Sequence, residues 1–203
     1  MLFHRGTPVW EELNSFFVNA DRLLLFLKNH QFTGYVKIQD NDVLYLILID
    51  EGDVVAAASK EVTDKIGIPM PVNDILAAAA ASDESSTLSI YELSTELAGI
   101  FTKIYHTECE VLHKDLHSDF SDIPKFLEKM QSTHFSGYIH FDFIKIDKHG
   151  IIVLEEGKVT SLLSHKIELT ESDPDNAKTK LMNMIISESN INGAVFNIYQ
   201  FAD

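Results

Sequence analysis

The sequence predicts an α+β chain of two tandem helix–three strands–helix–strand repeats joined by a connecting helix, and three recurrences carry that prediction. Phe32-Thr33-Gly34-Tyr35-Val36 returns as Phe135-Ser136-Gly137-Tyr138-Ile139, an offset of 103. Asp50-Glu51-Gly52-Asp53-Val54 returns as Glu155-Glu156-Gly157-Lys158-Val159 at 105, and Leu88-Ser89-Ile90-Tyr91 as Phe196-Asn197-Ile198-Tyr199 at 108. The offset grows in one direction, as small loop insertions in the second copy would make it, whereas chance matches would scatter. The expected layout is a first repeat over 1–93, a connecting helix and loop over 94–121, and a second repeat over 122–203.

Each copy opens with a helix. Ala20, Leu23, Leu24 and Leu27 stand opposite Ile123, Phe126, Leu127 and Met130, both sets at the i, i+3, i+4, i+7 spacing of an amphipathic helix. Asp21 and Asp122 lie near the starts, where a carboxylate caps free amides and suits the helix dipole. Strands follow over Tyr35–Gln39, Val43–Ile49 and Val54–Ser59, with Asn41 and Glu51-Gly52-Asp53 at the turns. The counterparts are Gly137–Ile146, Ile151–Leu154 and Val159–Ser164. Gly34, Gly52, Gly137 and Gly157 are read as structural turn positions. A second helix, Asn73–Ala81, follows the Pro69-Met70-Pro71 breaker, and a strand over Thr87–Glu92 closes the copy. In the second copy Asp173 is expected to cap a helix with Pro174 at its first position, running to about Ser189. Asn192-Gly193 then turns into a strand over Val195–Tyr199. Between the copies, Leu97, Phe101, Ile104, Tyr105, Glu108 and Leu112 suggest a connecting helix from Thr95 to Leu112.

The run Val43-Leu44-Tyr45-Leu46-Ile47-Leu48-Ile49 does not alternate, so both faces of that strand are expected to be covered. Ile151-Ile152-Val153-Leu154 behaves alike. The helices of a copy cover one face. The second copy, the connecting helix or another chain (a homodimer in the last case) must cover the other, and a copy alone is expected to be unstable. The run Ala77–Ala81 faces bulky residues at the matching helix of the second copy. Ala77, Ala78, Ala81, Met182 and Ile185 are therefore candidates for a helix-packing surface, against the plainer reading of drift on an exposed helix.

Composition narrows the function. Asp and Glu total 31 against 16 Lys and Arg, a formal charge of −15. Residues 1–93 hold 6 basic and 14 acidic side chains (−8) and residues 94–203 hold 10 and 17 (−7), so neither half offers a basic patch for nucleic acid or an anionic membrane. The single cysteine, Cys109, forbids an intrachain disulfide. The N-terminus lacks a signal-peptide pattern, and the longest apolar run is seven residues. A soluble cytoplasmic protein is expected.

Catalytic signals are weak. No Gly-x-Ser-x-Gly or Gly-rich phosphate loop occurs. Asp50-Glu51 and Glu155-Glu156 are neighbours at turns, where side chains diverge. His106, His113 and His117 cluster near Cys109, and His113 and His117 would be one helical turn apart. Without Cys-x-x-Cys or His-Glu-x-x-His the plainer reading is a polar linker, and no convergence on a metal is expected. No cofactor is expected either.

The order of Leu-rich helix, Phe-x-Gly-Tyr-Val, an apolar strand into Glu51-Gly52-Asp53-Val54-Val55-Ala56-Ala57, a short helix and Leu-x-Ile-Tyr resembles the PatA N-terminal (PATAN) domain family of bacterial signalling proteins. The resemblance covers 20–92 and 123–199, anchored on Gly34, Gly52 and Ala56 and on Gly137 and Gly157. Ala56 is matched by Ser161 or Leu162. It implies a non-enzymatic interaction module, an adaptor or scaffold whose partner is another protein. The alternative is a small-ligand or metal-sensing regulatory domain.

Overall fold

The two tight turns foreseen at glycine set the frame of each half of the chain. Asp50 pairs with Asp53 across Glu51 and Gly52, whose φ values are 48° and 87°. Glu155 pairs with Lys158 across Glu156 and Gly157, at 49° and 77°. Two successive positive φ values give the primed turn whose twist matches a hairpin, and glycine holds the second without a Cβ clash. The computed structural model describes residues 6–14, 17–61, 68–81, 86–106, 109–146, 148–164 and 174–202, with the side chains of 106 and 174–178 excepted. The chain divides into two units, Met1–Thr107 and Glu108–Asp203.

The first unit runs β1 (Thr7–Asn14), α1 (Ala20–Asn29), β2 (Gly34–Asp40), β3 (Val43–Asp50), β4 (Asp53–Glu61), β5 (Ile68–Pro69), α2 (Val72–Ala81), β6 (Thr87–Glu92) and α3 (Thr95–His106). Its sheet has the order β1-β6-β2-β3-β4-β5, with antiparallel neighbours throughout. Asn19, rather than Asp21, caps α1: its Oδ1 accepts the Arg22 N–H at 2.9 Å. Leu27 from α1 and Ile75 from α2 join Val36, Ile38, Ile47, Ile49, Leu88 and Ile90 in a core on one face of the sheet. Alternation along β3 aims Leu44, Leu46 and Leu48 at the opposite face, and these are only 4%, 3% and 0% exposed. There α3 packs against β3, β4 and β5, with Ala98, Phe101, Ile104 and Tyr105 buried. The connecting helix is therefore a cover for the unalternating strand.

The second unit runs β7 (Cys109–His117), α4 (Ile123–Ser132), β8 (Gly137–Phe143), β9 (Lys148–Glu155), β10 (Lys158–Ser164), α5 (Pro174–Asn192) and β11 (Ala194–Phe201). Asp122 caps α4, its Oδ1 accepting the Lys125 N–H at 3.1 Å. The sheet order is β10-β9-β8-β11-β7. Read from the other end it is β7-β11-β8-β9-β10, the same succession of positions as β1-β6-β2-β3-β4. A core of Ile139, Phe141, Phe143, Ile152, Leu154, Phe196 and Ile198 lies with Ile123 and Met130 of α4 and Leu181 and Ile185 of α5. Among the described residues no helix is long and apolar enough to cross a membrane.

Two expectations are corrected. The helix over 95–112 ends at His106, because the backbone of Cys109–His117 is taken up as a strand by the free edge of β11. The segment 94–121 is accordingly no separate linker: α3 packs within the first unit, and β7 belongs to the sheet of the second. Within each unit, the residues considered for a helix-packing surface differ in burial. Ala77 and Ala81 are exposed, α2 touching its core through Ile75, Leu76 and Ala79, while Met182 and Ile185 pack in the core of their own unit. The cap expected at Asp173 lies outside the described residues.

Candidate functional site

The motif glycines act as joints. A Cβ on Gly34 would overlap the Tyr91 carbonyl oxygen, and one on Gly137 the Tyr199 carbonyl oxygen. The Gly52 N–H donates to the Phe32 carbonyl and the Gly157 N–H to the Phe135 carbonyl, both at 2.8 Å. Thr33 and Ser136 each accept from the next turn, from the Glu51 and Glu156 N–H groups at 3.0 Å. The adjacent carboxylates Asp50-Glu51 and Glu155-Glu156 thus sit at hairpin ends, with Glu51 and Glu156 in solvent. Cys109 is half-buried, and burial pushes its thiol up to about 11, away from nucleophilic ionisation near neutral pH.

His113 and His117, weighed above at helical spacing but expected in a polar linker, are on a strand. His113 and His117 lie on β7, four residues and so roughly 13 Å apart along it. Both are exposed, His113 edge-on to Phe126 and His117 to Phe120. The helical spacing that would let them share an ion is absent. His106 ends α3, and its side chain lies outside the described residues.

A different set converges. His140 and Asp142 are two apart on β8 and so share a face, and Asp142 pairs directly with His149 on β9. His149 Nδ1 is 2.6 Å from Asp142 Oδ1, and His140 Nε2 is 3.7 Å from the same oxygen. The two imidazoles stack with centroids 5.4 Å apart. His140 is 1% exposed and Asp142 8%, while His149 is half-buried at the margin.

The first unit offers two other features. A cleft of ≈ 410 Å³ lies between α1, α2 and the sheet, lined by Phe17, Ile38, Leu76 and Leu88 among others. Its size suits a small ligand, yet of its polar groups Asn19 is already committed to capping α1 and Asp21 is exposed. The second feature is an apolar patch. Trp10 of β1 and Phe26 of α1 are in ring contact at 6.0 Å while 40% and 44% exposed, and Leu25, next to Phe26 in the chain, is 58% exposed. At the positions 103 residues later stand His113, Glu128 and Lys129, all exposed.

With this geometry in view, comparison with protein-family models, curated proteins and solved structures finds no match to the chain.

Proposed function

We propose that the chain is a non-enzymatic protein–protein interaction module, an adaptor or scaffold in bacterial cytoplasmic signalling, made of two copies of one repeat whose surfaces have diverged. The observation that carries this reading is the Trp10–Leu25–Phe26 patch. Isolated exposed apolar side chains are ordinary, but two part-exposed aromatics in mutual contact, with an exposed leucine next to one of them in the chain, are of the kind that anchors interfaces. The corresponding positions of the second unit are polar, so the repeat itself has no need of apolar residues there.

The idea of two copies draws support from paired details. The strand successions agree. Glu12 and Asp115 carry positive φ (53° and 54°), and their N–H groups donate to Ser89 Oγ and Asn197 Oδ1 at 3.0 and 2.8 Å. Tyr35 stacks on Tyr91, and Tyr138 on Tyr199. The PATAN resemblance points to the same class of function.

The test is a pull-down from native cell extract read by mass spectrometry, comparing the parent chain with the double variant Trp10→Ala, Phe26→Asp. A protein recovered by the parent and reduced at least about tenfold with the variant is expected, since anchor residues each carry ~2 kcal/mol or more. The melting temperature should stay within a few degrees, because both side chains are partly exposed and neither belongs to the buried core of its unit. Recovery of the same proteins by both chains would sink the proposal.

A further inference from the structure

We propose that His140, Asp142 and His149 form a binding site for one late first-row divalent cation of the zinc type, a property beyond the interaction role. Three ligand-type atoms, one from each residue, lie within 4.8 Å of one another on adjacent strands. Tetrahedral zinc, with bonds of about 2.0–2.2 Å to nitrogen and oxygen, asks its ligands to stand roughly 3.4 Å apart. Two of the three separations, 2.6 Å and 3.7 Å, bracket that spacing, and the His140–His149 pair lies within 4.8 Å. An ion would enter by parting the His149–Asp142 contact by a little under ~1 Å, a shift within reach of the half-buried His149 ring. The β-ladder holds the other two donors, because Asp142 and His140 are fixed two residues apart on one strand.

The first unit shows that the sheet does not require these groups. At the positions 103 residues earlier stand Lys37 and Gln39, and the residue paired with Gln39 is Leu44. The second unit has two imidazoles and a carboxylate instead. The two nitrogen donors select against magnesium and calcium, which prefer all-oxygen shells, and for zinc, cobalt, nickel or copper. Three protein ligands leave a fourth position for water or an incoming group. For His149 to coordinate through Nδ1, the proton shared with Asp142 must leave that nitrogen, for Nε2 or for water.

The experiment uses the full chain, stripped by chelator and titrated with zinc against a chromophoric competitor, with cobalt(II) as a spectroscopic probe. We expect one equivalent of zinc at a Kd on the order of micromolar or tighter, and visible cobalt bands of tetrahedral intensity, unaffected by millimolar magnesium. His149→Ala should weaken zinc binding at least tenfold, while the double change His113→Ala, His117→Ala should not alter it. Imidazole nitrogen NMR of the parent chain decides the matter even where a variant fails to fold: of the nine histidines, only His140 and His149 should move to metal-bound shifts. Absence of stoichiometric binding, shifts confined to other histidines, or affinity unchanged in a folded His149→Ala chain would each overturn the assignment.

Discussion

At the scale of single residues, the glycines differ in what they do, and the difference is measurable. Gly52 and Gly157 combine positive φ with close approach: a Cβ on either would stand 2.6 Å from a backbone oxygen, that of Lys28 or of Gln131. Alanine there meets both strain and overlap with backbone that cannot swing aside. Each of Gly52→Ala and Gly157→Ala should lose about 2 kcal/mol or more. Gly99 lies inside α3 with nothing within 4 Å of a built Cβ. Gly99→Ala should therefore gain roughly 0.5–1 kcal/mol from helix propensity. Urea midpoints of the three variants test the ranking, and a destabilised Gly99→Ala or a neutral Gly52→Ala would contradict it. The turn glycines were readable from the sequence because the turn type dictates the residue. The His140–Asp142–His149 cluster was not. His140 and Asp142 can be placed on one face by alternation alone, but His149 joins them only through the β8–β9 register, and the apolar pattern extends the first strand to Ile146 and starts the next at Ile151, which leaves His149 in a loop.

At the scale of elements, long periodic segments were legible and edge strands were not. α1, α4 and the strands β2, β3, β4 and β6 lie within a residue or two of their expected bounds, because core contacts impose their pattern. β1 and β7 escaped notice. Both are edge strands with mostly exposed side chains, so their sequences carry little burial signal, and what defines them is the unpaired edge of β6 or β11. β7 was further disguised because Glu108 and Leu112 continue the helical spacing of α3. The role of α3 leads to a prediction about fragments. Leu44, Leu46 and Leu48 lie on the face it covers, and burying each contributes ~1.5–3 kcal/mol, so a chain ending at 93 forgoes on the order of 5 kcal/mol. That is comparable with the whole stability of a small domain. A fragment of residues 1–107 should show a cooperative thermal transition, and a fragment of residues 1–93 should not. Equal stability of the two would mean that α3 is not the cover it is taken to be.

At the scale of the whole molecule, buried phenols make stability depend on alkaline pH. Burial pushes Tyr35 and Tyr105 well above the ordinary tyrosine range, with the neighbouring Tyr91 adding to the effect on Tyr35, and pushes Tyr199 up to about 12. Each group therefore keeps its proton in the folded chain at a pH where the unfolded chain has released it. The folded state then binds more protons than the unfolded state, so stability falls as pH rises. The contribution is fully present below the unfolded value near 10, and is lost from there up to the folded value. For the two best-buried phenols the slope is about 1.4 kcal/mol per pH unit each. A second influence works in the same direction, because a chain already at −15 gains further negative charge and repels itself. Tyr105→Phe separates the two. It removes one buried phenol and leaves the charge of the folded chain near neutral pH untouched. The melting temperature of the parent should hold between pH 7 and 9 and decline steeply from 9.5 to 11.5. Tyr105→Phe should decline more gently over that interval, even where the lost hydroxyl lowers its melting temperature at pH 8. Parallel curves would assign the alkaline loss to general repulsion and remove Tyr105 from the account.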